Sequence, residues 1–182
     1  VEVMSNGAHI VQGFRWGSRM GDGQVHDMML GALHDPFGHG HMGITAENIS
    51  SRYQISREMQ DEFALTSQKR AHEAIENGNF KDQILPIEIK TRKGIEIFEI
   101  DEHPKPETSM ETLTGLRTAF KKDGVVTAGN ASGINDGASA LVLANEKKAK
   151  SGKPLARIVS YGFGGVDPDE MGMGPVPASK MA

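Results

Sequence analysis

A chain of 182 residues is long enough to bury a core and fits one domain or parts of two. Its 20 Lys and Arg against 24 Asp and Glu leave a net charge of -4, which excludes a broad cationic field for nucleic acid or a membrane surface. With no cysteine, these residues hold no disulfide framework, thiolate metal site or cysteine nucleophile, and no apolar run is long enough to cross a bilayer.

Apolar residues at 37%, together with 22 glycines, match a soluble folded chain. No basic region leading into an apolar one opens it, so a cytoplasmic setting is the default expectation. Val1 and Val3 alternate around Glu2 as in a strand already under way. Residues 5–23 carry Gly7, Gly13, Gly17, Gly21 and Gly23 with Phe14, Trp16 and Met20 among them, which predicts a long irregular loop with apolar anchors. Short helices are expected over 25–33 and 43–53. Ser56 then caps a long helix with Glu58, Asp61 and Glu62 near its positive end and Gly78 past its last turn. Met59, Phe63, Ala64, Ala71, Ala74 and Ile75 recur on it at helical spacing, and its carboxylates read as a solvated face.

From Ile84 the period changes to two, through Ile87 and Ile89 and again through Ile95 and Ile97, with Lys93 and Gly94 in the turn, which predicts a hairpin. A short helix is expected over 109–116, and Gly124 opens a strand-and-loop passage to Gly137. Leu141, Val142 and Leu143 read as a buried strand, residues 146–150 as a basic helical turn closed by Gly152, and 155–161 as a further strand. Pro177, Ala178 and Ser179 resemble a helix opening with Ser as cap. Both termini are thus expected to fall inside secondary structure of a longer protein. The pattern is mixed α/β, and its character shifts near Asn135 and again near Gly152.

Three constellations carry chemical interest. Residues 34–43 concentrate His34, His39 and His41 with Asp35 between two helices, a set that could bind zinc and support a metal-dependent hydrolase. The favoured reading is different: a neutral histidine beside Met42 offers one donor and one acceptor to a polar acyl group. Residues 127–137 are small and turn-forming, so the backbone can approach a narrow chain such as pantetheine while Ser132 offers a hydroxyl. A tight structural loop explains the same residues, and both readings stay open. Lys105 stands between Pro104 and Pro106, placed to meet a phosphate or simply solvated, and Leu116 and Phe120 share a helical face.

Together and in this order, these passages resemble the acetyl-CoA acetyltransferase branch of the thiolase family. The likeness runs through Phe14-Arg15-Trp16-Gly17, Met20-Gly21-Asp22, residues 41–48, Ser56-Arg57, residues 91–94, residues 128–137, Gly165-Val166-Asp167-Pro168 and residues 174–178. It implies an α/β, thiolase-like fold fragment. Residues 1–2 would end the N-terminal thiolase half, 3–134 would form the loop domain over the active site with a tetramerisation loop near 5–23, 135–151 would close the N-terminal half, and 152–182 would start the C-terminal half.

Carried over residue by residue, the resemblance implies that His41 and Met42 line the acyl pocket and that Ser132 and Ala128 contact pantetheine. Leu33, Leu116 and Phe120 would border the CoA groove, Met171 would stand near the thioester, and Lys105 would replace an arginine near the CoA phosphates, keeping the charge without the bidentate fork. The implied reaction is covalent acyl transfer between acetyl-CoA and acetoacetyl-CoA. Its nucleophilic cysteine is expected upstream, and its histidine and second cysteine downstream. No tightly bound cofactor, no metal, no nucleic acid and no membrane enter that expectation; coenzyme A enters as substrate, and the full-length protein is expected to be a homotetramer. A non-catalytic thiolase-like binding module is the remaining alternative.

Overall fold

A computed structural model describes residues 1–182. The chain divides into two compact units, one of Val1–Arg52 with Ile134–Ala182 and one of Tyr53–Gly133.

In the first unit, strands β1 (His9–Val11) and β2 (Val25–Asp27) pair antiparallel with Ile10 opposite His26. The loop between them contains a 3-10 turn at Phe14–Trp16 entered through Gly13 at φ 79° and left through Gly17 at φ 80°, a conformation glycine reaches without steric cost. Helix α1 spans Met28–Ala32, so the helix expected over 25–33 is shorter and preceded by a strand. The switch falls at Asp27, whose carboxylate accepts from the backbone N–H of Met29 at 2.8 Å and of Leu30 at 3.3 Å, an N-cap that lets a helix start there. Helix α2, Met42–Tyr53, buries Gly43, Glu47 and Ser50, which share one face at a spacing of four and three.

Near the other end of this unit lie α5 (Glu146–Ala149), capped by Asn145, a 3-10 helix at Pro168–Met173, and α6 (Pro175–Met181). Helix α6 starts after Gly174, with Pro175 and Pro177 in its first turn and Ser179 inside it, so Ser179 is not the cap. Proline sets the start because the first turn needs no backbone donor. The strands expected at 141–143 and 155–161 are absent: Val142 is 97% exposed and Val159 80% exposed. Apolar content marks a segment fit for burial, but a strand also needs a hydrogen-bonded neighbour, and no other strand of this chain lies beside either segment. At the start of the chain only Glu2 makes a strand-like contact, a single bridge to Gly137, before a 3-10 turn at Met4–Asn6.

In the second unit, α3 runs over Arg57–Glu76 with the Ser56 hydroxyl accepting from the Met59 N–H at 3.2 Å and Gly78 at φ 71° beyond its end. Its covered stripe is Arg57, Gln60, Asp61, Ala64, Leu65, Gln68, Ala71 and His72, whereas Met59, Phe63 and Ile75 are exposed. The expectation of solvated carboxylates therefore fails at Asp61, which is fully buried. Strands β3 (Ile87–Thr91) and β4 (Gly94–Phe98) form the expected hairpin, but its two-residue turn is Arg92 and Lys93 rather than Lys93 and Gly94, because Gly94 already pairs with Thr91. Helix α4, Met110–Thr114, carries a reciprocal cap: the Ser109 hydroxyl accepts from the Thr112 N–H and the Thr112 hydroxyl accepts from the Ser109 N–H. Leu113 and Val126 are the buried hydrophobic residues of this unit, with Thr127 and Asp61 buried beside them in the sequence of contacts described next.

Candidate functional site

In the first unit the histidine-bearing loop is closed at its neck and pinned at its tip. The Met42 N–H donates to the Leu33 carbonyl at 2.9 Å, and His34 bridges His41, their rings 5.0 Å apart at 84°. Leu33, His41 and Met42 are thereby gathered at one place. Within the loop the Asp35 carboxylate accepts from the N–H groups of Phe37 at 2.8 Å and His39 at 3.2 Å, while Gly38 at φ 98° and Gly40 at φ 88° take the chain through the reversal.

His41 accepts the Gly43 N–H on Nδ1 at 2.9 Å, which puts the proton of the neutral ring on Nε2. Burial, and then the neighbouring His34, lower its pKa, so the ring is held neutral. His39 behaves in the opposite way. Its Nδ1 meets the Asp169 carboxylate at 2.6 Å, and that hydrogen bond is the main cause of a raised pKa.

Asp169 lies in the 3-10 helix Pro168–Met173, which α2 also grips: Asn48 donates to the Asp169 carbonyl at 3.1 Å, and Arg52 pairs with Glu170 at 2.5 Å. Gly172 lies so close to Ile49 that an added Cβ would come within 3.0 Å of its side chain. Met171, half-exposed, is carried on this segment. The zinc reading of His34, His39 and His41 finds no support: His34 Nδ1 is 2.7 Å from the Leu30 carbonyl, His39 turns to Asp169, His41 accepts from Gly43, and no set of three donors converges.

In the second unit the small-residue passage is organised by buried polar groups. Asp61 accepts from Arg57 Nε at 2.7 Å on one oxygen and from Asn130 Nδ2 at 2.9 Å on the other. Asn130 Nδ2 also donates to the Val125 carbonyl at 3.0 Å, and its oxygen accepts from the Thr127 N–H at 2.8 Å. Arg57 Nη2 reaches the carbonyls of Leu113 at 2.6 Å and Leu116 at 3.2 Å, the end of α4 where a cation meets the negative pole of the helix. The chain then faces both ways: Thr127 is buried, Ala128 is exposed, Asn130 turns inward, and Ala131 and Ser132 are exposed, the Ser132 hydroxyl donating to the Gly133 carbonyl at 3.0 Å. Gly129 has no room for a side chain, because a Cβ there would stand 2.5 Å from Leu113 Cδ2 and 2.6 Å from Leu116 Cδ1.

A model of the thiolase N-terminal domain matches residues 1–147. The chain belongs to the thiolase family. A beta-ketothiolase of Cupriavidus necator is 54% identical over 184 residues, covering all of this chain and 47% of that relative. The acetyl-CoA acetyltransferase of Bacillus anthracis superposes with a TM-score of 0.87 at 50% identity, over 99% of this chain and 46% of that one. Human mitochondrial 3-ketoacyl-CoA thiolase in complex with CoA superposes at 0.85 with 43% identity, over 98% of this chain and 45% of that one. The fold is thus an α/β thiolase fold, and the chain spans about half the length of the curated relatives it matches.

Placed on that thiolase fold, Leu33, His41 and Met42 come together in one unit with Met171 on a segment tied to the same helix; in the other unit the Leu116 carbonyl meets Arg57, and Ala128 and Ser132 flank Asn130 in sequence. Leu116 and Phe120 do not share a helical face, since α4 ends at Thr114 and the chain after it runs out to pair Thr118 with Thr127 and Ala119 with Val126. Lys105 is exposed; its ammonium donates to the Glu102 carbonyl at 3.0 Å and its N–H to Gln68 at 2.8 Å. Reasoning from sequence missed Arg57, Asp61 and Asn130. The spacing of four between Arg57 and Asp61 was the available signal, but the same spacing marks any exposed helix pair.

Proposed function

We propose that this chain supplies the CoA- and acyl-binding part of an acetyl-CoA C-acetyltransferase, which joins two acetyl-CoA molecules into acetoacetyl-CoA and CoA or runs the reverse thiolysis. The single observation that carries this reading is the likeness over the full chain to thiolases, among them a structure holding CoA. In this reading a cysteine thiolate attacks the acetyl thioester and CoA leaves as a thiol. The α-carbon of a second acetyl-CoA, after losing a proton, then takes the acetyl group and frees the cysteine. These 182 residues hold no cysteine, so the nucleophile belongs to other segments of the full-length protein.

The local chemistry suits the binding roles. A neutral His41 with a donor at Nε2 beside Met42 fits a small polar acyl group, and the exposed Ala128 and Ser132 fit a narrow pantetheine arm. Leu33, Leu116 and Phe120 would border the groove, Met171 would approach the thioester, and Lys105 would meet a phosphate. Residues 3–134 would act as the loop domain, a functional division separate from the two contact-defined units, with 1–2 and 135–151 belonging to the N-terminal half and 152–182 to the C-terminal half. A homotetramer in the cytoplasm, joined near 5–23, completes the proposal. No helix is long and apolar enough to cross a membrane.

The test is continuous measurement of acetoacetyl-CoA cleavage. The full-length protein is expected to turn over and the isolated 182-residue chain to give only the buffer rate. Turnover by the isolated chain, or none by the full-length protein, would defeat the reading.

A further inference from the structure

We infer that Asp61 is a positioning residue for CoA-thioester binding, acting through Asn130 to fix the outward presentation of Ala128 and Ser132. This rests on the CoA-binding role proposed above for residues 128–132. Asp61 is fully buried, and each of its oxygens accepts one directed bond, from Arg57 and from Asn130. The Asn130 amide consequently has one acceptable orientation. Its NH2 lies between two acceptors, the Asp61 carboxylate and the Val125 carbonyl, and its oxygen meets a donor, the Thr127 N–H. Turned over, it would set oxygen against oxygen and nitrogen against nitrogen at all three contacts.

Helix stability alone does not call for this arrangement. A buried ion pair can be replaced by apolar residues of similar volume with little loss, whereas a fully satisfied polar network fixes one geometry. The fixed geometry belongs to a passage whose exposed members, Ala128, Ala131 and Ser132, flank Asn130, and Gly129 lies so close to Leu113 and Leu116 that it has no room for a Cβ. The carboxylate thus registers three things against one another: the start of α3, the end of α4 through Arg57, and the 125–130 turn.

The isosteric Asp61→Asn change tests this in the full-length protein, because it turns one acceptor into a donor facing either Arg57 or Asn130. Two substrates are compared, acetoacetyl-CoA and the acetoacetyl thioester of N-acetylcysteamine, which keeps the reacting group and lacks most of the pantetheine arm and the nucleotide. KM for the CoA thioester is expected to rise about tenfold or more, the size of a lost charge-assisted hydrogen bond, with kcat/KM on the short thioester moving by less than about threefold. Asn130→Ala, which leaves the Arg57 pair in place, should reproduce the split and decides the matter if Asp61→Asn does not fold. Equal proportional losses on both substrates, or no loss on either, would overturn the positioning role. Absence of turnover by the unsubstituted protein would instead remove the functional reading, and this inference with it.

Discussion

The two clusters that hold the candidate ligand-binding residues are built on opposite principles. Around His41 the chain is a glycine-turned loop pinned at its tip by an imidazole–carboxylate contact, with the His39 side chain 33% and the Asp169 side chain 57% exposed. Around Asn130 the chain is pinned by a carboxylate with no exposure at all. An exposed contact is weakened by water and salt and responds to proton concentration; a buried one costs desolvation to assemble and is expensive to break once assembled. One loop can therefore adjust, and the other is set when the protein folds.

Removing the buried anion should give the largest effect. Asp61→Ala leaves the guanidinium of Arg57 without its carboxylate, and the full-length protein is expected to lose about 3–5 kcal/mol in urea unfolding. A loss below about 1 kcal/mol, the range of a surface pair, would erase the contrast. Gly129→Ala comes next. The new methyl group must displace both Leu113 and Leu116, and overpacking of this kind costs about 1–3 kcal/mol, read as a lower unfolding midpoint. Smallest is Asp169→Asn at the exposed cluster, where the effect should follow pH. His39 has a folded pKa raised above its ordinary value, so the stabilisation is fully present below about pH 6.5 and fades as pH rises through the folded pKa. In Asp169→Asn the imidazole resonances should titrate at lower pH than in the parent, and the two proteins should converge in stability on the alkaline side. An unchanged His39 titration would break the comparison from this side.

Local chemistry was legible in the sequence, and distant pairing was not. Ser56 and Gly78 frame α3 as expected because caps act within one turn, and the change to a period of two places the hairpin, although its turn is Arg92-Lys93 rather than Lys93-Gly94. On α3 the apolar spacing picked out Ala64, Ala71 and Ala74, which are covered, but also Met59 and Phe63, which are exposed, and it passed over Arg57 and Asp61, whose partner Asn130 lies 69 residues from Asp61. Leu141, Val142 and Leu143 have strand composition without a strand, since β structure depends on a neighbour that periodicity does not supply. For the candidate site, clustering of His41 with Met42 and of Ala128 with Ser132 could be read directly from adjacency. The tie from His39 to Asp169 spans 130 residues and needed the fold.

The same network makes the fold sensitive to the chemical state of Asn130. Hydrolysis of its amide to a carboxylate would replace the NH2 group that now faces Asp61 and the Val125 carbonyl with an oxygen. Two anions would then share a space with little water, which forces one of them to take up a proton or the turn to open. A change of one functional group would be enough to undo the geometry that the network fixes.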